Sequence, residues 1–281
     1  MEMFSSQRKV RSGDLTLVVA EHGVSDGTPV LMLHGWPDTA ELWRNQVGPL
    51  TDAGFRVLAP DLRGRGRSES PGDIAGYRVT RSVGDVVAIL DDAGIDRAHV
   101  VAHDWGAAVG WASAISAPDR VRSLVAVSVG HPVSFGGLRL EQMMRSWYML
   151  LFQFKDVAEE LLSRDHWSMF RRFVGNHPET DNWIAELSRP GALTSSLNWY
   201  RAHAHPDRFL RPPPELPPVR VPVMGVWSTG DFALTERQMR DSSAFVTDEW
   251  RYERIEDASH WVPLDAAPLF NDLLLEWLAA H

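Results

Sequence analysis

Apolar positions along this chain follow two rhythms. Short aliphatic runs recur at Leu15–Ala20, Val30–Leu33, Arg56–Ala59, Ala98–Ala102 and Ser123–Val127. Their length and β-branched content predict strands, and continuous apolar character predicts burial on both faces. Between them, Leu42–Leu50, Ser82–Ala93 and Ala107–Ala117 carry apolar residues at helical spacing. Strand alternating with helix predicts a largely parallel sheet covered by helices on both faces. The rhythm changes after His131. From there to about Leu210 the pattern is helical and rich in aromatics, as in Trp147–Leu162 and Trp167–Val174. A proline-dense stretch follows, from Pro212 to Pro222. Strand signals resume at Val221–Trp227 and Arg251–Ile255, and a last helix is expected near Pro268–Ala279. The expected organisation is an α/β core made of residues 1–130 and 217–281, with residues 131–216 inserted as a helical cap.

Composition narrows the chemistry. At 281 residues, 44% hydrophobic and 23% charged, the chain can bury a large core, and disorder is not expected. The net charge of −9 is spread along the chain, with no basic stripe, so a nucleic-acid partner is not expected. With no cysteine, disulfides, thiol nucleophiles and thiolate metal sites are excluded. Residues Met1 to Asp14 are polar, without an apolar signal core, and no run is long enough to span a membrane. A cytoplasmic location is expected. No spacing resembles a metal site, and no cofactor is implied. His203 and His205 read as exposed residues of the helical block, and Arg63, Arg65 and Arg67 as a solvated loop.

Three polar residues sit where such sheets place their chemistry, just past the ends of strands. Asp104 lies in AHDWG, residues 102–106, between the strand Ala98–Ala102 and a helix. Strand, tight turn and helix form the setting of the nucleophile elbow, written G-x-S-x-G in serine hydrolases, with Ala102 here in place of the first glycine. Asp231 follows the strand Val221–Trp227, and His260 follows Arg251–Ile255. Taken singly, Asp104 could be a helix N-cap, Asp231 a turn residue and His260 a loop histidine. Together they repeat the chain order nucleophile, acid, histidine. The segment HGWPD, residues 34–38, follows Val30–Leu33 and supplies a second loop. The backbone N–H groups of Trp36 and Trp105 would then form an oxyanion hole. His103, beside Asp104, should face away and act structurally.

HGWPD, VLAPDLRGRGRS (57–68), AHDWG, the late Asp231 and the SHW histidine resemble the epoxide hydrolase and haloalkane dehalogenase branch of the α/β-hydrolase family. The similarity runs from about Leu15 to Leu278. It implies an α/β-hydrolase fold, a mostly parallel sheet flanked by helices with an inserted helical cap. An aspartate is anionic at neutral pH and attacks an sp³ carbon without a base, giving an alkyl ester. Water activated by His260, itself oriented by Asp231, would hydrolyse that ester. The lid decides the leaving group. An epoxide oxygen gains charge as it leaves and benefits from a proton donor. Tyr148 in SWYMLLFQ and Tyr200 in LNWYRA resemble the paired epoxide-binding tyrosines of that branch.

The expected function is therefore hydrolysis of a small-molecule epoxide, apolar or aromatic, to a vicinal diol. Trp36, Trp105, Trp199 and Trp261 are expected to line the substrate site. Two alternatives stay open. A haloalkane dehalogenase would use the Trp105 indole, with Trp147 or Trp199 as second halide donor. A non-catalytic binding protein would use the same fold. Oligomeric state is not legible from the sequence.

Overall fold

The computed structural model describes residues 6–136, 140–204 and 215–281. Its centre is an eight-stranded sheet. The strands are β1 (Ser6–Ser12), β2 (Leu15–His22), β3 (Thr28–Leu33), β4 (Phe55–Pro60), β5 (Ala98–His103), β6 (Val121–Val127), β7 (Val223–Gly230) and β8 (Trp250–Ser259). Their spatial order is β1-β2-β4-β3-β5-β6-β7-β8. The first two pairings are antiparallel and the rest parallel. Strand β1 was not expected from the sequence. It reads SQRKVRS and is an exposed edge, where charge is usual and hydrophobic periodicity weak.

The helices are α1 (Arg44–Asp52), α2 (Val79–Asp92), α3 (Trp105–Ser116), α4 (Pro132–Gly136), α5 (Leu140–Arg145), α6 (Trp147–Leu151), α7 (Val157–Phe173), α8 (Thr180–Leu187), α9 (Ala192–His203), α10 (Glu236–Arg240), α11 (Val262–Asp265) and α12 (Ala267–Ala280). Side chains alternate across the sheet with period two. Val30 and Met32 of β3 join Val101, Val125 and Val226 on the face covered by α1 and α12. Leu31 and Leu33 join Val100, Ala102 and Leu124 on the face covered by α2 and α3. Helices α4 to α9 lie between β6 and β7 in the chain. Their buried residues, among them Ala158, Leu162, Phe170, Leu187 and Leu197, belong to the same apolar cluster as the first face.

The helical block departs from the sequence reading in detail. The run Trp147–Leu162 is two helices, α6 and α7, separated by residues 152–156. Within α7, Arg164 to Trp167 leave helical geometry, with positive φ at Asp165, His166 and Trp167. The expected segment Trp167–Val174 is therefore the second half of a kinked element. The proline stretch falls partly outside the described residues, as does His205.

The loop after β4 is not solvated as expected. Arg63 and Arg65 are buried, 5% and 4% exposed. Arg63 forks onto Asp85, with Nε and Nη2 at 2.7 and 2.6 Å from the two carboxylate oxygens. Arg65 donates to the carbonyl oxygens of Pro37 and Asp38, tying this loop to HGWPD. Only Arg67 keeps a partly exposed side chain, beside Asp61. The planar guanidinium can satisfy several acceptors at once, which lets it be buried where lysine could not. His203 is also not exposed: it is half-buried, accepts a hydrogen bond from the Val79 N–H at 2.8 Å, and has its other ring nitrogen 2.7 Å from the Trp199 carbonyl.

The buried pair gives a stability test. Arg63→Met leaves Asp85 without its charge partner, and removing one member of such a pair costs about 3–5 kcal/mol. Urea unfolding should show a loss of that order. A loss below about 1 kcal/mol, the range of exposed pairs, would contradict the assignment.

Candidate active site

The turn between β5 and α3 sets the site. Asp104 has φ +51° and ψ −118°, a conformation that β-carbon-bearing residues rarely adopt. It stands at the N-cap position of α3, yet its side chain makes no capping hydrogen bond. The strained turn instead presents the carboxylate to the sheet's C-terminal edge. Two glycines make room for it. A β-carbon on Gly106 would lie 2.1 Å from the Leu33 carbonyl oxygen, and one on Gly35 would lie 2.3 Å from the Asp104 β-carbon. A larger residue would displace backbone at Gly106 and the Asp104 side chain at Gly35.

Asp104 is 9% exposed. The Trp36 N–H donates to its Oδ1 at 2.8 Å. Burial pushes its pKa above the ordinary value, against the opposing pull of His260 and of the Trp36 and Trp105 N–H groups. Its Oδ2 is 3.7 Å from His260 Nε2. The other ring nitrogen, Nδ1, is 3.0 Å from Asp231 Oδ2. Asp231 Oδ1 accepts the N–H groups of Ala233 and Leu234, each at 2.9 Å. The carboxylate that orients the histidine is thus itself fixed by two backbone donors. Burial alone would lower the His260 pKa. Asp231 foremost, with Asp104 and Asp38, outweighs burial and raises it to about 9. That rise favours the imidazolium form of His260 between the Asp104 and Asp231 side chains.

Tyr148 of α6 and Tyr200 of α9 approach the same carboxylate from the helical block. Their ring centroids are 5.8 Å apart. Burial, reinforced by the Asp104 charge, holds both phenols well above their ordinary pKa. Both are protonated across the neutral range and able to donate. Tyr148, Tyr200, Asp104, His260, Trp36, Trp261, Phe173, Phe232 and Ala233 enclose one cavity. Its free volume is about 10 Å³, room for about one water molecule.

Two tryptophans expected there are elsewhere. Trp199 points to the opposite apolar cluster and donates through Nε1 to the Arg63 carbonyl oxygen at 3.2 Å. Adjacent helical residues diverge by about 100°, so α9 can present Tyr200 to the cavity or Trp199, not both. The Trp105 ring packs edge-on to Tyr200, 5.2 Å between centroids, and beside Trp199 and His203. It does not line the cavity; only its backbone N–H is turned to Asp104. The halide donors of the alternative reading fare the same way: Trp199 is engaged, and Trp147 is 48% exposed on the outer surface. His103 is buried, with Nε2 3.0 Å from the His260 carbonyl oxygen, and lies outside the cavity lining.

Several residues of the site escaped sequence reasoning. Arg145 of α5 donates to the Asp231 carbonyl oxygen at 2.5 Å, linking the helical block to the acid. Asp38 is buried and receives the Trp183 indole N–H at 2.7 Å. Burial raises its pKa to about 7. Phe232 follows Asp231 directly, so its place was legible; Phe173, distant in sequence, left no signal. Among the described residues no group of His, Asp and Glu could hold a metal ion, and no helix is long and apolar enough to cross a membrane.

Comparison with known proteins agrees with this architecture. Residues 28–267 match the model of the alpha/beta hydrolase fold family. The chain is 30% identical over 280 residues to the AB hydrolase superfamily protein YfhM of Bacillus subtilis, covering 96% of each. It is 30% identical over 317 aligned positions to epoxide hydrolase A of Mycobacterium tuberculosis, covering 97% of each. The crystal structure of epoxide hydrolase A from Mycobacterium thermoresistibile superposes with a TM-score of 0.82, at 28% identity over 98% of both chains. That of an epoxide hydrolase from Vigna radiata gives 0.80, at 27% identity over 98% of both. This chain belongs to the α/β-hydrolase fold family.

Proposed function

We propose that this chain is an epoxide hydrolase that forms a covalent ester on Asp104. The reading rests on one observation above all. A carboxylate, a histidine and two protonated tyrosines face a single small cavity, with no serine or cysteine among its lining. It is supported by the epoxide hydrolases among its relatives. Residues 131–216 act as the cap that brings the tyrosines over a core of residues 1–130 and 217–281. The substrate is a small epoxide with an apolar or aromatic arm, since aromatic rings form most of the wall.

The geometry divides the labour between the two Asp104 oxygens. Oδ1 is held by the Trp36 N–H, so Oδ2 is the one free to attack. Its electron pair forms a C–O bond to an oxirane carbon, and the ring C–O bond breaks. The leaving oxygen gains charge as Tyr148 and Tyr200 donate to it. The product is an alkyl ester of Asp104. That ester carries no charge, so one of the anions that raises the His260 pKa disappears. His260 then passes its proton, by way of solvent, to the oxygen freed by ring opening and becomes a base for water, with Asp231 stabilising the cation that forms. Water adds to the ester carbonyl carbon. Charge gathers on Oδ1, to which the Trp36 N–H donates. Its return breaks the Cγ–Oδ2 bond, the departing oxygen takes the proton from His260 to release the diol, and the acid proton left on Asp104 returns to His260.

Two measurements follow. In an NMR titration His260 should change charge near pH 9 in the parent. Asp104→Asn, a neutral mimic of the ester, should move that midpoint down. A midpoint unmoved by the substitution would contradict the coupling.

The tyrosines separate epoxide opening from other displacements. Tyr148→Phe and Tyr200→Phe each remove a donor with little loss of volume. Each should slow ester formation on styrene oxide by roughly ten- to a thousand-fold, and the pair should nearly abolish it. A double variant that opens the epoxide at the parental rate would reduce the tyrosines to packing residues and remove the reading's main support.

A further inference from the structure

A second cavity adjoins the first. It has a free volume of about 510 Å³ and is lined by Glu141, Met144, Arg145, Trp147, Phe173 and Phe232. Met144 and Trp147 are 68% and 48% exposed, so this cavity is open to the surface. Two residues, Phe173 and Phe232, line both cavities. Their rings meet edge to face, with centroids 5.3 Å apart and planes at 86°. Rings at that distance are in contact, so nothing passes between them until one turns. The inner cavity, at about 10 Å³, cannot hold an epoxide with any arm attached.

The two residues are anchored differently at the backbone. Phe232 lies between Asp231 and Ala233, and Asp231 Oδ1 clamps the backbone just beyond it through the Ala233 and Leu234 N–H groups. Its ring rests 6.0 Å from His260 and 5.9 Å from Trp261. Phe173 is the last residue of α7, ahead of Gly175, whose φ is +67° and whose α-carbon faces open space. Its half-buried ring sits among aromatic rings, Tyr148 at 5.0 Å, Trp36 at 5.9 Å, and Phe152 and Trp147 each at 6.2 Å. Neither phenyl ring has a hydrogen bond to hold it, so the difference between them lies in the backbone, clamped beside Phe232 and at a helix end for Phe173.

We propose that Phe173 and Phe232 form an aromatic gate, with Phe173 the moving leaf, and that the outer cavity is a vestibule for the uncharged arm of the epoxide. The inference rests on the epoxide reading for the substrate, but the gate is defined by the rings alone. The vestibule's charges are committed: Arg145 pairs with Glu141 at 3.6 Å and donates to the Asp231 and Leu234 carbonyl oxygens. What it offers an arm is Met144, Trp147 and the two phenyl faces, so the arm it suits is neutral, alkyl or aryl. Gate width then sets selectivity between slender and broad substrates.

The test compares parent, Phe173→Ala, Phe173→Leu and Phe173→Trp on 1,2-epoxyhexane and trans-stilbene oxide. The ratio of kcat/KM for the broad to the slender epoxide should rise about ten-fold in Phe173→Ala, rise less in Phe173→Leu, and fall in Phe173→Trp. A second measurement needs no turnover. Stopped-flow tryptophan fluorescence with the unreactive 1-phenylethane-1,2-diol should show faster association in Phe173→Ala, by about ten-fold, because Trp36 and Trp261 line the inner cavity. Association rates that are equal in parent and variants, or absent in all, overturn the gate. Turnover of neither epoxide by the parent, with association still accelerated, overturns the epoxide reading and leaves the gate standing.

Discussion

Burying the Asp104 carboxylate removes it from water, and the surrounding structure is arranged to offset that loss. Desolvation of a charge is expensive unless donors and a counter-ion replace the lost water. The Trp36 and Trp105 N–H groups supply donors, and the His260 imidazolium supplies the counter-charge. Each of these depends on something further out. Trp36 is placed by the HGWPD loop, which Arg65 holds by its carbonyl oxygens and Ser196 holds by the Trp36 indole N–H at 3.1 Å. His260 depends on Asp231, and Asp231 on Ala233, Leu234 and Arg145. The charge at one turn thereby organises loops from four strand ends and the helical block.

The same arrangement explains why one histidine can serve two steps. While Asp104 is ionised, His260 is its counter-ion and is protonated. On the proposed reading, that role ends once Asp104 is esterified and the base role begins, the change coming from the reaction itself. It also explains the need for tyrosines: a carboxylate nucleophile requires no base, but an alkoxide leaving group in a nearly dry cavity requires donors.

Much of this was legible in the sequence, for physical reasons. Strands buried on both faces are continuous apolar runs, and Asp104 and Asp231 each stand at the end of one; His260 follows the edge strand β8, and the meeting of the three followed from the parallel sheet. Tyr148 and Tyr200 came only through a resemblance, since nothing in local pattern distinguishes a donor from a packed ring. Trp199 and Trp105 were misplaced because sequence names neighbours but not the direction of a helical side chain. Arg63 and Arg65 were misread because their acceptors, Asp85 and the carbonyl oxygens of Pro37 and Asp38, are brought near only by the fold. The edge strand β1 and the kink in α7 lack any apolar periodicity to reveal them. Phe173 reaches the cavity from a helix end far from the other site residues in sequence, which no short motif records.

The central claim is that a carboxylate oxygen of Asp104, and not solvent, first bonds to the substrate carbon. A single turnover of excess enzyme with styrene oxide in oxygen-18 water tests it most directly, by mass spectrometry of the diol. The account expects a diol whose new oxygen is mostly unlabelled, with one labelled oxygen left in the Asp104 peptide. A diol fully labelled from solvent in that first turnover, with Asp104 unlabelled, would mean direct attack by water and would contradict it.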